Sequence, residues 1–413
     1  MQAVVLAAGK SSRFYPFRDL PHKSYVSLLG KKIIEYTLLE LKKAGIEEVI
    51  IVVKSEKEKL DPDPDLGIKL SYVFLSEPTG MGDALLKAKN FIKDDFFLIN
   101  AYHINFSKFS ESLKKQKKNK DDLVLLLKEH LGSASQYGVV KTQGEKVLEI
   151  IEKPSETESG LRVVGMYLMP LKFLEVLSKT PVEHYSLEKA ISAYAKVDSV
   201  VYYKTEEETF SLKYPWDLFT FTKYLLDSSN KFISDKAEIS EKAVISGNVI
   251  IEDGVKIMEG ACIKGLCYIG KNTIVGNNAL VRDYSVVGEN VILGAYSEIK
   301  NSVIMEGSKM HSGFVGDSVI GANCRIGANF CSANRRLDRA EIKVDGVNTG
   351  LSFLGVIMGS LVKCGIGVNT MPGVIIGRNS IIGPSTTVVK SIKENMRYYV
   401  KFAEVVEELH HEK

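Results

Sequence analysis

Apolar and polar positions along the chain keep two different rhythms, and the change falls near residue 230. Before it, short apolar runs alternate with amphipathic stretches. Residues 2–8, 48–53 (EVIIVV), 69–74 and 96–99 read as strands, whereas 33–44 and 83–91 carry helical spacing. Strands alternating with helices predict a parallel sheet covered on both faces. The basic run KKQKKNK at 114–120 reads as the solvated end of a helix.

After residue 235 the rhythm has a period of six. Ile239, Ile245, Ile251, Ile257, Ile263, Ile269, Val275, Val281, Val287, Leu293 and Ile299 fall on successive sixth positions, and Gly270, Gly276, Gly288 and Gly294 each follow one of them. The register is interrupted and returns at Ile320, Ile326, Ile376, Ile382 and Val388. This period fits neither a helix nor an alternating strand. It fits a coil of short flat faces, one apolar residue per face pointing inward and small or polar residues at the corners. That is the hexapeptide repeat of a parallel β-helix. Residues 306–317 and 329–353 leave the register and are expected to loop out, where side chains gather around a substrate. Residues 393–413, charged and helically spaced, are expected to form a helical tail covering the solenoid end. The expected domains are thus 1–228, 236–392 and 393–413.

The 413 residues are 45% hydrophobic and 25% charged, an ordinary globular mix with material for a sizeable core. A formal charge of +3 is too near neutral for a general nucleic-acid or membrane-surface binder. Five cysteines without a CxxC pair suggest neither a disulfide framework nor zinc, and the expected compartment is the reducing cytoplasm. No stretch reaches the roughly 18 apolar residues of a membrane span.

The first strand runs into Leu6-Ala7-Ala8-Gly9-Lys10-Ser11-Ser12-Arg13, with Lys23 beyond. Small residues there let backbone N–H groups approach a triphosphate. Arg13 can fork onto phosphate oxygens, and Lys23 can offset their charge. This segment resembles the signature of sugar-1-phosphate nucleotidylyltransferases. The likeness continues through Gly80-Met81-Gly82-Asp83, Tyr137-Gly138, Ile151-Glu152-Lys153-Pro154 and Tyr214-Pro215-Trp216-Asp217. It implies a Rossmann-like nucleotidyltransferase domain in which Ala8, Gly9, Arg13, Lys23 and Gly80 bind a nucleoside triphosphate, and Gly138 and Glu152 line the sugar pocket. Several positions depart from the pattern. Ser11-Ser12 replaces Gly-Thr, and His22 replaces a proline. The aspartate that would hold Mg2+ falls on Tyr102, or on His103 if the register slips by one. The second falls near Ser211, and a sugar-binding asparagine falls on Val163. Mg2+ prefers oxygen ligands, usually carboxylates with phosphates. It remains a cofactor here only if a carboxylate such as Asp83 or Asp217 substitutes.

The period-six half resembles the left-handed β-helix acyltransferases. The whole chain is similar in domain order to the bifunctional glucosamine-1-phosphate acetyltransferase/N-acetylglucosamine-1-phosphate uridylyltransferases. The resemblance implies left-handedness, a homotrimer, and acetyl-CoA as co-substrate for an amino-sugar 1-phosphate. It assigns His311 as general base and Arg282, Lys300, Asn334 and Lys343 to the sugar phosphate, with Ser360 and Ser385 at acetyl-CoA. The residue types suit the chemistry. An imidazole removes the proton from an attacking amine, and two cations hold a phosphate. Phe314, Arg325, Asn329 and Phe353 stand where the family has a tyrosine, an asparagine, a glycine and a basic residue. The missing carboxylates leave open a relative in which nucleotidylyl transfer is weak or lost, or a non-catalytic regulatory paralogue that binds sugar nucleotide.

Overall fold

The computed structural model describes residues 1–60, 66–131, 138–152 and 159–408, apart from the side chains of Leu131, Glu152 and Ser159. Tyr137, Lys153 and Pro154 lie outside the described residues. The chain forms two compact units. One comprises residues 1–12, 20–27 and 31–213, the other 13–19, 28–30 and 214–413. The division at Lys213 precedes the expected boundary at 228, because the helix Leu218–Asp227 groups with the second unit. There Lys223 and Asp227 both hydrogen-bond the Tyr284 hydroxyl, each at 3.0 Å.

In the first unit the apolar runs form a nine-stranded sheet. Lys69–Phe74, Glu48–Val53, Gln2–Leu6 and Phe96–Asn100 lie side by side and parallel. The sheet is mixed rather than wholly parallel. Ser159–Met169 runs antiparallel to Phe96–Asn100 and Leu123–Leu131, and Gly138–Gln143 pairs antiparallel with Lys146–Glu152. Both faces are covered, as a sheet of such apolar strands requires. Helix Ile33–Lys43 buries Ile34, Leu38 and Leu41 against one face. Helices Met81–Ala88 and Ser186–Tyr194 bury Leu85, Leu187 and Ile191 against the other. The basic run ends helix Ser107–Gln116, where lysines meet the negative end of the helix dipole.

The second unit is a left-handed parallel β-helix of three sheets with eight, nine and eight strands. Face one runs from Phe232–Ile233 to Ile375–Ile376, face two from Glu238–Ile239 to Arg397–Tyr398, and face three from Val244–Ser246 to Thr387–Val388. The sixth-position residues from Ile251 to Ile299 fill one continuous core. Asparagines such as Asn272, Asn278 and Asn290 turn corners at φ of 55°, 56° and 56°, a conformation asparagine tolerates. Two expectations are corrected here. Residues 306–317 do not loop out. The step between inward residues shortens from six to five at Ile304, Val315 and Ile320, so one corner residue is lost while the strands Lys309–Met310 and Gly313–Gly316 stay in their sheets. The true excursion is 333–353, which follows strand Phe330–Ser332 and carries a hairpin of Lys343–Val344 with Val347–Asn348. Nor is the tail a helix among its described residues. Arg397–Tyr398 adds a final parallel strand beside Ile381–Ile382, because an open ladder edge offers unpaired N–H and C=O groups that a strand satisfies.

Candidate functional site

In the first unit the nucleotide-type motif follows strand Gln2–Leu6. Ala8 is buried and Gly9 exposed. The Lys23 N–H donates to the Ser11 hydroxyl at 3.1 Å. His22, standing where the family has a proline, caps the turn Lys23–Tyr25, its Nδ1 accepting the Ser24 N–H at 3.3 Å. Burial, then the charges of Lys23 and Lys54, hold this imidazole well below its ordinary pKa, so it is a neutral cap. Arg13 groups with the second unit, its guanidinium 6.0 Å over the ring of Tyr214, which stacks on Trp216. Gly80 precedes helix Met81–Ala88, and a Cβ there would collide with the His184 carbonyl, which accounts for the glycine by packing. Gly138 is buried and pairs with the backbone of Glu152.

The two residues on which the expected aspartate can fall, Tyr102 and His103, have different surroundings. His103 is fully buried, with Nε2 3.1 Å from the Gly165 carbonyl and Nδ1 unpartnered. Burial drives its pKa down to about 3. Tyr102 is only half-buried, and the Lys23 ammonium lies 4.8 Å from its ring centroid. This donor set does not fit Mg2+. It offers an amide, a phenol and an imidazole where a hard cation needs carboxylates. The two suggested substitutes serve as caps, Asp83 accepting the Thr79 N–H and Asp217 the Tyr214 N–H. Among the described residues no cluster of His, Cys, Asp and Glu can hold a metal.

In the second unit the edge between faces three and one gathers three of the seven predicted residues, Arg282, Lys300 and Asn334. Lys264, Arg282 and Lys300 end successive strands of face three and stack in register, with Gly316 next. Each stacked cation is a rung, about 4.8 Å above the last. Carboxylates offset that repulsion. Arg282 Nε and Nη2 donate to Glu298 Oε1 at 3.0 and 2.7 Å, and Nη1 also pairs with Asp283. Lys300 Nζ donates to Asp317 Oδ2 at 3.0 Å, and Asn334 Nδ2 to the same oxygen at 2.6 Å. Gly316 lets the Phe314 ring and the Asn334 amide close over it, since a Cβ would strike both.

His311 is exposed and sits elsewhere. It follows Lys309–Met310 on face two and precedes Gly313–Gly316 on face three, so it turns the opposite edge of face three from Lys300. The strand between spans about 10 Å at roughly 3.3 Å per residue. Its ring makes no hydrogen bond among the described residues. Ser385 turns the same edge further along, between Ile381–Ile382 and Thr387–Val388. Ser360 does not. It is buried at the edge between faces one and two, its hydroxyl accepting the Ala322 N–H at 3.3 Å. Lys343 is exposed on the hairpin of the excursion. One chain thus brings together Arg282, Lys300 and Asn334, and holds His311 and Ser385 on a neighbouring edge.

Over 407 residues the chain is 34% identical to the bifunctional protein GlmU of Methanocaldococcus jannaschii, covering 97% of each chain. It belongs to the bifunctional GlmU family. The GlmU of Methanococcus maripaludis is also 34% identical, over 97% of this chain and 98% of its own. The bifunctional sugar-1-phosphate nucleotidylyltransferase/acetyltransferase of Sulfurisphaera tokodaii is 31% identical over 95% of this chain and 98% of its own. A nucleotidyl transferase family model matches residues 2–217, and a GMPPB C-terminal domain model matches 263–355. Membership in the GlmU family makes the chain a transferase-type protein with nucleotidyltransferase and β-helix acyltransferase halves. No helix among the described residues is long and apolar enough to cross a membrane.

Sequence reasoning passed over Lys264, Glu298 and Arg335. Lys264 had a signal, since it precedes Arg282 by the same three six-residue steps that separate Arg282 from Lys300. Glu298 had one as well, standing two residues before Lys300 on the same outward side of its strand. Arg335 had none, because the excursion breaks the period.

Proposed function

We propose that the β-helix transfers acetyl from acetyl-CoA to the amine of an amino-sugar 1-phosphate, and that its working site lies between neighbouring chains of a homotrimer. The observation that carries this is the grouping of Arg282, Lys300 and Asn334 on one edge of a face whose other edge holds His311. A neighbouring prism that presents its His311 edge to these cations completes the set. His311 takes the proton from the attacking nitrogen as the N–C bond forms, and the tetrahedral adduct collapses with expulsion of the CoA thiolate, which regains a proton. Ser385, on the His311 edge, is suited to the acetyl-CoA chain, and Lys343 to the outer side of the pocket.

The nucleotidyltransferase half binds a nucleoside triphosphate or sugar nucleotide beside Ala8, Gly9 and Lys23, with Gly138 and Glu152 at the sugar. Its nucleotidylyl transfer is weak or lost, which the absence of metal-binding carboxylates at positions 102 and 211 supports. The cytoplasm, where these substrates occur, is the proposed compartment. The test is thiol release from acetyl-CoA with glucosamine 1-phosphate. The wild type is expected to turn over, and His311→Ala to lose thiol release by about 100-fold or more while still binding nucleotide. Unchanged release in that variant removes His311 from the mechanism.

A further inference from the structure

The excursion 333–353 leaves and rejoins the coil beside Lys300, and it returns an aromatic ring there. Phe353 is 40% exposed, with the Lys300 ammonium 4.9 Å and the Arg335 guanidinium 4.7 Å from its centroid. Each cation is attracted by the ring, and the two repel one another. Lys300 is already matched by Asp317, Arg282 by Glu298 and Asp283, and Arg336 by Asp338. Arg335 is exposed and makes no ion pair among the described residues. It is nonetheless held. The preceding residue, Asn334, is tied to Asp317, and the guanidinium carbon lies over the Phe353 ring. The result is a fork of N–H donors with no carboxylate partner among the described residues, next to a second cation. An arginine fork matches two oxygens of a phosphate group at once.

We propose that Arg335, set over Phe353 beside Lys300, is a further residue that recognises the phosphate of the amino-sugar 1-phosphate. It acts beside Arg282 and Lys300, whose charge is already shared with Glu298, Asp283 and Asp317. The inference rests on the acetyl-transfer reading and names what in that site reads the phosphate. Phe353 then has a task as the platform that aims the guanidinium, and its ring accounts for an exposed aromatic on a charged edge.

The test is calorimetric titration of the full-length protein with glucosamine 1-phosphate, glucosamine and acetyl-CoA in turn. Arg335→Ala is expected to weaken glucosamine 1-phosphate about 10- to 100-fold, with glucosamine and acetyl-CoA unchanged. Arg335→Lys keeps a charge without the fork and recovers part of the loss. Phe353→Tyr binds as the wild type does, whereas Phe353→Ala loses about 3- to 10-fold. In turnover the Arg335→Ala loss falls on KM with kcat kept. Wild-type affinity for the sugar phosphate in Arg335→Ala overturns the proposal, as does a loss confined to acetyl-CoA or a wild type that binds no sugar phosphate. A wild type that binds the sugar phosphate through Arg335 yet releases no thiol leaves the pocket standing and removes the acetyl-transfer reading.

Discussion

At position 102 the side chain decides what kind of nucleotide site the first unit can be. A phenol ring under the Lys23 ammonium gives that cation a soft partner at one of the two positions where the resemblance leads one to expect a metal-binding carboxylate. Nucleotide binding is therefore expected to be the same with Mg2+ and with a chelator. Tyr102→Asp is expected to introduce Mg2+ dependence, read by titrating UTP under both conditions; Mg2+-dependent binding by the wild type would contradict this. The neighbouring His103 has a separate consequence. Its pKa is near 6.5 when unfolded and about 3 when folded, so between those values the unfolded chain binds the extra proton. The stability conferred by the neutral ring is present above 6.5 and is lost progressively as pH falls toward 3. His22 titrates in the same direction. A His103→Leu variant is expected to lose less stability than the wild type between about pH 7 and pH 4, measured as the shift in urea midpoint of the first unit. Its Gly165 hydrogen bond is lost at every pH, so the slope and not the intercept carries the result.

At the scale of elements, the sequence was most legible where one rule governs many residues. The six-residue rhythm could be read because every inward position from Ile251 to Ile299 is buried in one core, and any polar residue there would be costly. The strand and helix sequence of the first unit was equally legible, but the antiparallel course of Ser159–Met169 was not, since apolar runs do not encode strand direction. The five-residue steps were misread as departures from the coil. Dropping a corner residue preserves inward alternation, so Ile304, Met310 and Val315 remain buried although the period fails. The tail was misread because helical spacing in a short charged segment yields to an unpaired ladder edge, which Arg397–Tyr398 fills. Removing residues 393–413 uncovers the buried Ile382 and frees the backbone edge of strand Ile381–Ile382. The shortened protein is expected to aggregate at concentrations where the full chain does not, detected by light scattering; a well-behaved product would mean the last coil caps itself.

For the whole molecule, the separation of His311 from Lys300 across one face is the decisive geometry. If the site is shared between chains, two inactive variants can rescue each other. Arg282→Ala and His311→Ala subunits, unfolded together and refolded at equal ratio, are expected to regain about a quarter of wild-type thiol release, because a quarter of the shared sites draw both intact halves. A site contained within one chain gives no recovery. The sequence singled out Arg282, Lys300, Asn334 and His311 as candidates, but it did not show their division between two edges. It depends on which corner each residue turns, and the shortened step after Met310 sets that for His311.

The stacking of Lys264, Arg282 and Lys300 has an evolutionary corollary. Each rung is one complete winding, so duplicating or deleting a whole winding lengthens or shortens the charged ladder without re-aiming any side chain. A single-residue change within a strand, by contrast, reverses its inward alternation, and only corners take one, as at Ile304, Val315 and Ile320. Diversification of ligand length in such a protein therefore proceeds in quanta of one winding, and the small indels that most enzymes absorb in loops are admitted here at the corners and within the 333–353 excursion.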